Sequence, residues 1–215
     1  MIKIFNKFSG LNRNYLVFAL FAVLIALFYG NTLFNGFAMD DQAVIVDNPY
    51  VHSFQYLPKV VTGCIWEYAL GGCEGNTLHY RPLHTLSYLI TWQISSQPWV
   101  FHLVNLFYFF SAVFLTFVFI KLLTKIGIIA FFAAVFFLIH PINTEVVNWA
   151  STVTDLLLVI FVLLSLILYI LYRNTNSLKY LLGACLGYFL AMLSKEPAVF
   201  VVPMLVVALD LFVLR

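Results

Sequence analysis

The chain has 215 residues, of which 63% are hydrophobic and only 9% charged, with 11 Lys plus Arg against 9 Asp plus Glu and a formal net charge of +2. So few charged side chains cannot clothe a soluble globule, and so small a basic excess gives no footprint for nucleic acid. Apolar runs of roughly 15 to 25 residues recur, whereas the ten-residue alternation of a membrane barrel is absent, and in lipid the backbone must satisfy its own hydrogen bonds. The expected fold class is therefore all-α: a polytopic membrane helical bundle, with residues 1–215 forming a single membrane domain.

Lys3, Lys7 and Arg13 precede the first predicted span, Tyr15 to Phe34. This run is too long for a secretory signal, and Tyr29-Gly30-Asn31-Thr32 offers no small-residue cleavage site, so it reads as a retained helix. A long loop follows, from Asn35 to about Pro98, opening on the acidic doublet Asp40-Asp41. Adjacent carboxylates repel, so one of the two is expected to hold its proton more tightly, which suits a general base. The spacing of Cys64 and Cys73, with Gly71-Gly72 between them, leaves a disulfide and two free thiols equally open. Within the loop, Leu83 to Ile94 is apolar but short and interrupted by His84, Thr85, Ser87, Thr91 and Gln93, which predicts a helix lying along the interface.

Five further spans are predicted: Trp99 to Leu122, a short one at Ile126 to Ile139, Leu156 to Leu171, Leu178 to Leu193 and Ala198 to Leu214. In the fifth span Gly183 and Gly187 form a small-residue face for close helix packing, and Cys185 reads as a packing residue. With the amino terminus cytoplasmic, Lys3, Lys7, Arg13, Lys121, Lys125, Arg173, Lys179 and Arg215 fall inside, as the bias of basic residues requires. Lys59, Arg81 and Lys195 fall outside, together with Asp40, Asp41, Asp47, Glu67, Glu74, Glu145, Asp155 and Glu196, leaving Asp210 near the inner side. A seventh full span at Leu83 to Ile94 would invert everything after it. All five histidines (His52, His79, His84, His102, His140) collect at the outer face, as do Trp66, Trp92, Trp99 and Trp149, which read chiefly as an interfacial belt. The polar chemistry is thus expected on one side, carried by the long loop, the stretch His140 to Asp155 and the turn Ser194-Lys195-Glu196-Pro197.

Asn35-Gly36-Phe37-Ala38-Met39-Asp40-Asp41, then Asp47-Asn48-Pro49, Tyr80-Arg81-Pro82-Leu83 and Phe101-His102-Leu103-Val104-Asn105 resemble the front half of the GT-C glycosyltransferases. The order continues through His140-Pro141-Ile142-Asn143-Thr144-Glu145, Asp155-Leu156-Leu157 and Leu193-Ser194-Lys195-Glu196. Taken together the set is most similar to the transmembrane and tetratricopeptide-repeat O-mannosyltransferases and their bacterial relatives. The resemblance implies inverting transfer of a sugar, such as mannose, from a polyprenyl-phosphate donor to an acceptor hydroxyl on protein, glycan or lipid. The active face would be outer, periplasmic at a bacterial inner membrane or lumenal in the endoplasmic reticulum. By position it implies Asp40 as the base with Asp41 beside it.

A departing lipid phosphate needs a cation, and Arg81 and Lys195 are the outer basic residues nearest predicted helix ends, with Lys59 a weaker third. Tyr80, His84, His102, Glu145, Asp155 and Glu196 are candidates for contacting substrate or acceptor. No cofactor is assigned, and Asp40, Asp41 and Glu145 could hold a divalent cation, with no diagnostic ligand spacing. Each has a plainer reading: the doublet as a loop cap, Arg81 before Pro82 as a helix start, and Lys195-Glu196 as a surface ion pair. Relatives commonly carry Arg or Lys just ahead of the residue matched to Asp155, where this chain has Ser151-Thr152-Val153-Thr154. The chain also stops directly after a span, where the family continues, so a fragment is expected. The rival class is a non-catalytic transporter or lipid-binding protein. Transporters place ionisable groups near mid-membrane, whereas here they gather at one face.

Overall fold

The structure is a computed structural model that describes residues 10–73 and 79–212. Lys3, Lys7, Glu74 and Arg215, used above in assigning topology, lie outside the described residues. The long helices are α1 (Gly10–Tyr29), extended by a tighter turn over Gly30–Phe34, and, after the loop, α4 (Pro82–Ile94), α5 (Pro98–Thr124), α6 (Gly127–Ile139), α8 (Val153–Thr175), α9 (Leu178–Ser194) and α10 (Ala198–Phe212). Short helices α2 (Leu57–Thr62) and α3 (Glu67–Leu70) lie in the loop, and α7 (Asn143–Asn148) links α6 to α8. The residues described contain no strand. Helix ends follow local chemistry. Pro82 and Pro98 start α4 and α5, where a missing N–H costs nothing, and α6 stops at His140, which Pro141 bars from continuing.

Tyr15–Phe34, Pro98–Thr124 and Ala150–Thr175 are long and apolar enough to cross a membrane, and Gly127–Ile139, Leu178–Ser194 and Ala198–Phe212 are shorter apolar helices. The six predicted spans therefore all form as helices, and among the described residues three of them reach spanning length. Large apolar side chains such as Leu27, Phe107, Phe132, Phe136, Leu182, Phe200 and Met204 face outward, as a lipid-facing surface requires.

Two apolar cores hold the bundle. Phe21, Ile25 and Tyr29 of α1 meet Phe109, Val113 and Phe117 of α5 and Ala130, Ala134 and Leu138 of α6 in the first. In the second, Val162, Leu166 and Ile170 of α8 pack with Ala191 of α9 and with Val202 and Leu209 of α10. The α8–α9 contact is the closest: a Cβ added at Gly187 would lie 3.1 Å from the Ser165 amide nitrogen, and one at Gly183 would lie 3.0 Å from Leu168 Cδ1. Ser165 Oγ donates across this seam to the Ala184 carbonyl at 2.9 Å. Turning Gly183, Ala184 and Gly187 toward α8 leaves Cys185 exposed, so it is not the packing residue the sequence suggests.

A third core caps one end of the bundle, joining Val44, Ile45, Val51 and Ile65 of the loop to Tyr88 of α4, Phe101 of α5 and Val153 and Leu157 of α8. Trp66 and Trp92 pack against it, and Trp92 stacks on His52 with ring centroids 3.9 Å apart. These tryptophans are therefore part of a folded cap more than of a belt. Helix α4 forms where expected, yet Pro82, His84, Thr85, Ser87, Tyr88, Leu89 and Thr91 are all buried. It is wedged beneath the loop, where the Ser87 and Tyr108 hydroxyls share a hydrogen bond at 3.1 Å and Tyr88 Oη donates to the Ala150 carbonyl at 3.1 Å.

Candidate active site at the capped end

Chain direction collects at this end the close of α1, α6 and α9 and the start of α4, α5, α8 and α10. Here the acidic doublet splits. Met39, immediately before it, has a φ of 49°, a left-handed conformation rarely adopted by a long side chain. Asp40 and Asp41 then begin a helical turn, in which successive side chains point about 100° apart. Asp40 is exposed, whereas Asp41 is only 1% exposed.

Asp41 Oδ2 accepts the Ala38 amide at 3.0 Å and Oδ1 accepts the Ser151 amide at 2.7 Å. Burial pushes the Asp41 carboxyl above the usual carboxylate value, against the pull of these amides. The upward shift at Asp41 follows from burial and not from the repulsion within the doublet on which the sequence reading rests. Around this latch Trp149 Nε1 donates to the Ala38 carbonyl at 3.2 Å, and Asn105 Nδ2 donates to the Trp149 carbonyl at 2.9 Å. His102 is fully buried, with Nδ1 3.3 Å from Thr32 Oγ1. The first loop is thereby fastened to the segment 149–151 and to α5.

The basic candidates are already partnered. Arg81 grips Glu196 side-on, Nε lying 3.0 and 3.1 Å from the two carboxylate oxygens and Nη2 2.7 Å from Oε2. His79 Nδ1 adds a contact to Glu196 Oε1 at 3.4 Å. Burial alone would push the Glu196 carboxyl up, but the hydrogen bonds and charge of Arg81 outweigh it and hold the group at about 2. Lys195 Nζ lies 2.6 Å from Asp155 Oδ1. Lys59 is likewise paired, with Glu67 at 2.6 Å.

His84 is buried beside Arg81 and the Ser151 backbone, its Nδ1 finding no partner among the described residues, and burial first and Arg81 second hold the imidazole down at about 3. Tyr80 Oη donates to the Val61 carbonyl at 2.7 Å and braces the loop. His140 is structural, its Nδ1 facing the Ile142 amide at 3.3 Å. Glu145 is exposed. No three His, Cys, Asp or Glu side chains converge as a metal site among the described residues, so the divalent-cation reading gains no ligand set here. Cys64 and Cys73 are joined as a disulfide in the structure.

The geometry adds residues that spacing did not single out: Ser151 and Ala38 through their amides, Trp149, Asn105 and Thr32 through hydrogen bonds, and His79 through Glu196. Backbone donors carry no side-chain signature, so the sequence pointed to the stretch His140 to Asp155 as a whole and to its missing cation, not to the Ser151 amide.

A protein O-mannosyl-transferase of Caenorhabditis elegans is 29% identical over 182 residues, covering 81% of this chain and 25% of its own length. Protein O-mannosyl-transferase TMTC3 of Homo sapiens is 29% identical over 197 residues, covering 89% and 21%, and TMTC2 of Homo sapiens is 33% identical over 184 residues, covering 80% and 21%. This chain is a relative of the protein O-mannosyl-transferases. It spans about a fifth to a quarter of the length of the curated relatives it matches. No family model matches it, and no solved structure does.

Proposed function

We propose that the chain is the donor-binding part of a GT-C type membrane glycosyltransferase. It transfers a sugar, mannose by the names of its relatives, from a polyprenyl-phosphate donor to an acceptor hydroxyl, with inversion, on the outer or lumenal face. The observation that carries this reading is the exposed Asp40 held beside the anchored Asp41, at the end of the bundle where Arg81 and Lys195 also lie.

A neutral hydroxyl is a weak nucleophile, so Asp40, reachable from solvent, removes its proton as the glycosidic bond forms. Asp41 is the positioning residue, since both its oxygens face backbone amides and it holds the loop in place. Arg81 and Lys195 take up the charge of the leaving lipid phosphate. The acceptor is a protein in the relatives' names.

The test is transfer of radiolabelled mannose from polyprenyl-phosphate mannose in membranes carrying the chain within its complete gene product, against Asp40→Asn. Loss of transfer with unchanged membrane content is expected. Full transfer by the variant would remove Asp40 as base; no transfer by the unaltered protein, together with solute flux in vesicles, would move the function to transport.

A further inference from the structure

The turn 195–197 is cross-wired. Consecutive residues of opposite charge reach different helices: Lys195 goes to Asp155 of α8, and Glu196 goes to Arg81 at the start of α4. Both cations assigned above to a phosphate are thus neutralised, each by one carboxylate. The Arg81 contact is a fork, with two guanidinium nitrogens meeting two carboxylate oxygens. A phosphate monoester, the species that transfer leaves on the lipid, presents the same spacing of two oxygens with more negative charge. Glu196 is about half exposed, as is His79 beside it, so an anion arriving from the membrane surface meets the pair without first unpacking the core.

We infer that Glu196 and Asp155 are resident counter-ions that occupy the phosphate positions of this site, and that a phosphate monoester on a lipid binds by exchanging places with them. The inference rests on the reading of Arg81 and Lys195 as the phosphate cations. The carboxylates do two things there. They keep Arg81 and Lys195 from standing unpaired at a low-dielectric boundary, where a lone charge is costly. They also set a threshold for entry, since a ligand must outcompete a tethered carboxylate, which an uncharged lipid cannot do.

The test is equilibrium binding of farnesyl phosphate to the purified full-length protein in detergent, with farnesol and inorganic phosphate as the other probes. Glu196→Gln is expected to tighten farnesyl phosphate binding by about threefold to tenfold, because the competing charge is gone and the solvent-exposed pair is only modestly strong. Arg81→Gln is expected to weaken it by at least as much, and Arg81→Gln with Glu196→Gln should bind no better than Arg81→Gln alone. Farnesol should bind equally to all. If Arg81→Gln binds farnesyl phosphate as well as the unaltered protein does, the underlying reading of the cation fails. If Arg81→Gln weakens binding while Glu196→Gln leaves it the same or weaker, the exchange is overturned and the cation stands. Should Glu196→Gln lose its folded melting transition, Asp155→Asn makes the same test at the Lys195 pair, with tightening expected and its absence fatal. Inorganic phosphate binding as tightly as farnesyl phosphate would overturn the lipid as the source of the anion.

Discussion

The two ends of the bundle carry charge in different ways. At the capped end Asp41 is bound to the Ser151 amide, Arg81 to Glu196 and Lys195 to Asp155, partners 110, 115 and 40 residues apart. At the opposite end Lys121, Lys125 and Lys179 stand near helix termini, Lys121 and Lys179 lying over aromatic rings one turn or one residue away. The one ion pair there among the described residues, Arg173 with Asp210, is partly exposed. The pairs at the capped end tie several elements at once, the loop to the segment 149–151, the start of α4 to the turn after α9, and that turn to α8, whereas the Arg173 pair joins only α8 to α10. The capped end is accordingly where the loop, α4 and α8 share a core.

That contrast can be broken most sharply at the doublet. Asp40→Asn should lower sugar transfer by roughly a hundredfold or more, the scale of a lost general base, with the melting temperature in detergent unchanged because the side chain is exposed. Asp41→Ala should instead strip the Ala38 and Ser151 amides of their acceptor and destabilise the fold by about 2 to 4 kcal/mol, read as a lowered unfolding midpoint.

Asp41 also predicts a pH signature. Its folded carboxyl binds a proton more tightly than the ordinary value of 3.8, so the stability it contributes is complete below that value and declines as pH rises through its raised folded value. An Asp41→Asn variant should lack this decline, so the gap between it and the unaltered protein should narrow with rising pH in that window.

Away from the site, Gly187→Leu should force α9 off α8, because the new side chain meets the Ser165 backbone from 3.1 Å outward. A cost of about 1 to 3 kcal/mol is expected, seen as a lowered melting transition with farnesyl phosphate affinity little changed. The smallest effect is expected at the far end, where Arg173→Gln breaks a pair with both partners about one-third exposed. It should change stability by less than about 1 kcal/mol and leave donor binding untouched. A large loss of donor binding there would show that the two ends are coupled.

Much of the fold was legible in the chain. Hydropathy placed six apolar helices within a few residues, since a segment in lipid must close its own hydrogen bonds whatever surrounds it. The small-residue face at Gly183 and Gly187 announced a close contact without naming α8 as its partner. Charge asymmetry set Asp40, Arg81 and Lys195 on one side of the predicted topology, and the fold brings them to one end of the bundle. Tertiary structure decided the rest. It chose which aspartate is buried, because two adjacent helical side chains must diverge and only one could reach the Ser151 amide. It sank α4 beneath the loop, turned Cys185 outward and Lys59 toward Glu67, and gave Arg81 and Lys195 the carboxylates that they hold. These depend on backbone groups and on residues far apart in the chain, and no local pattern encodes which of several equivalent charges will meet.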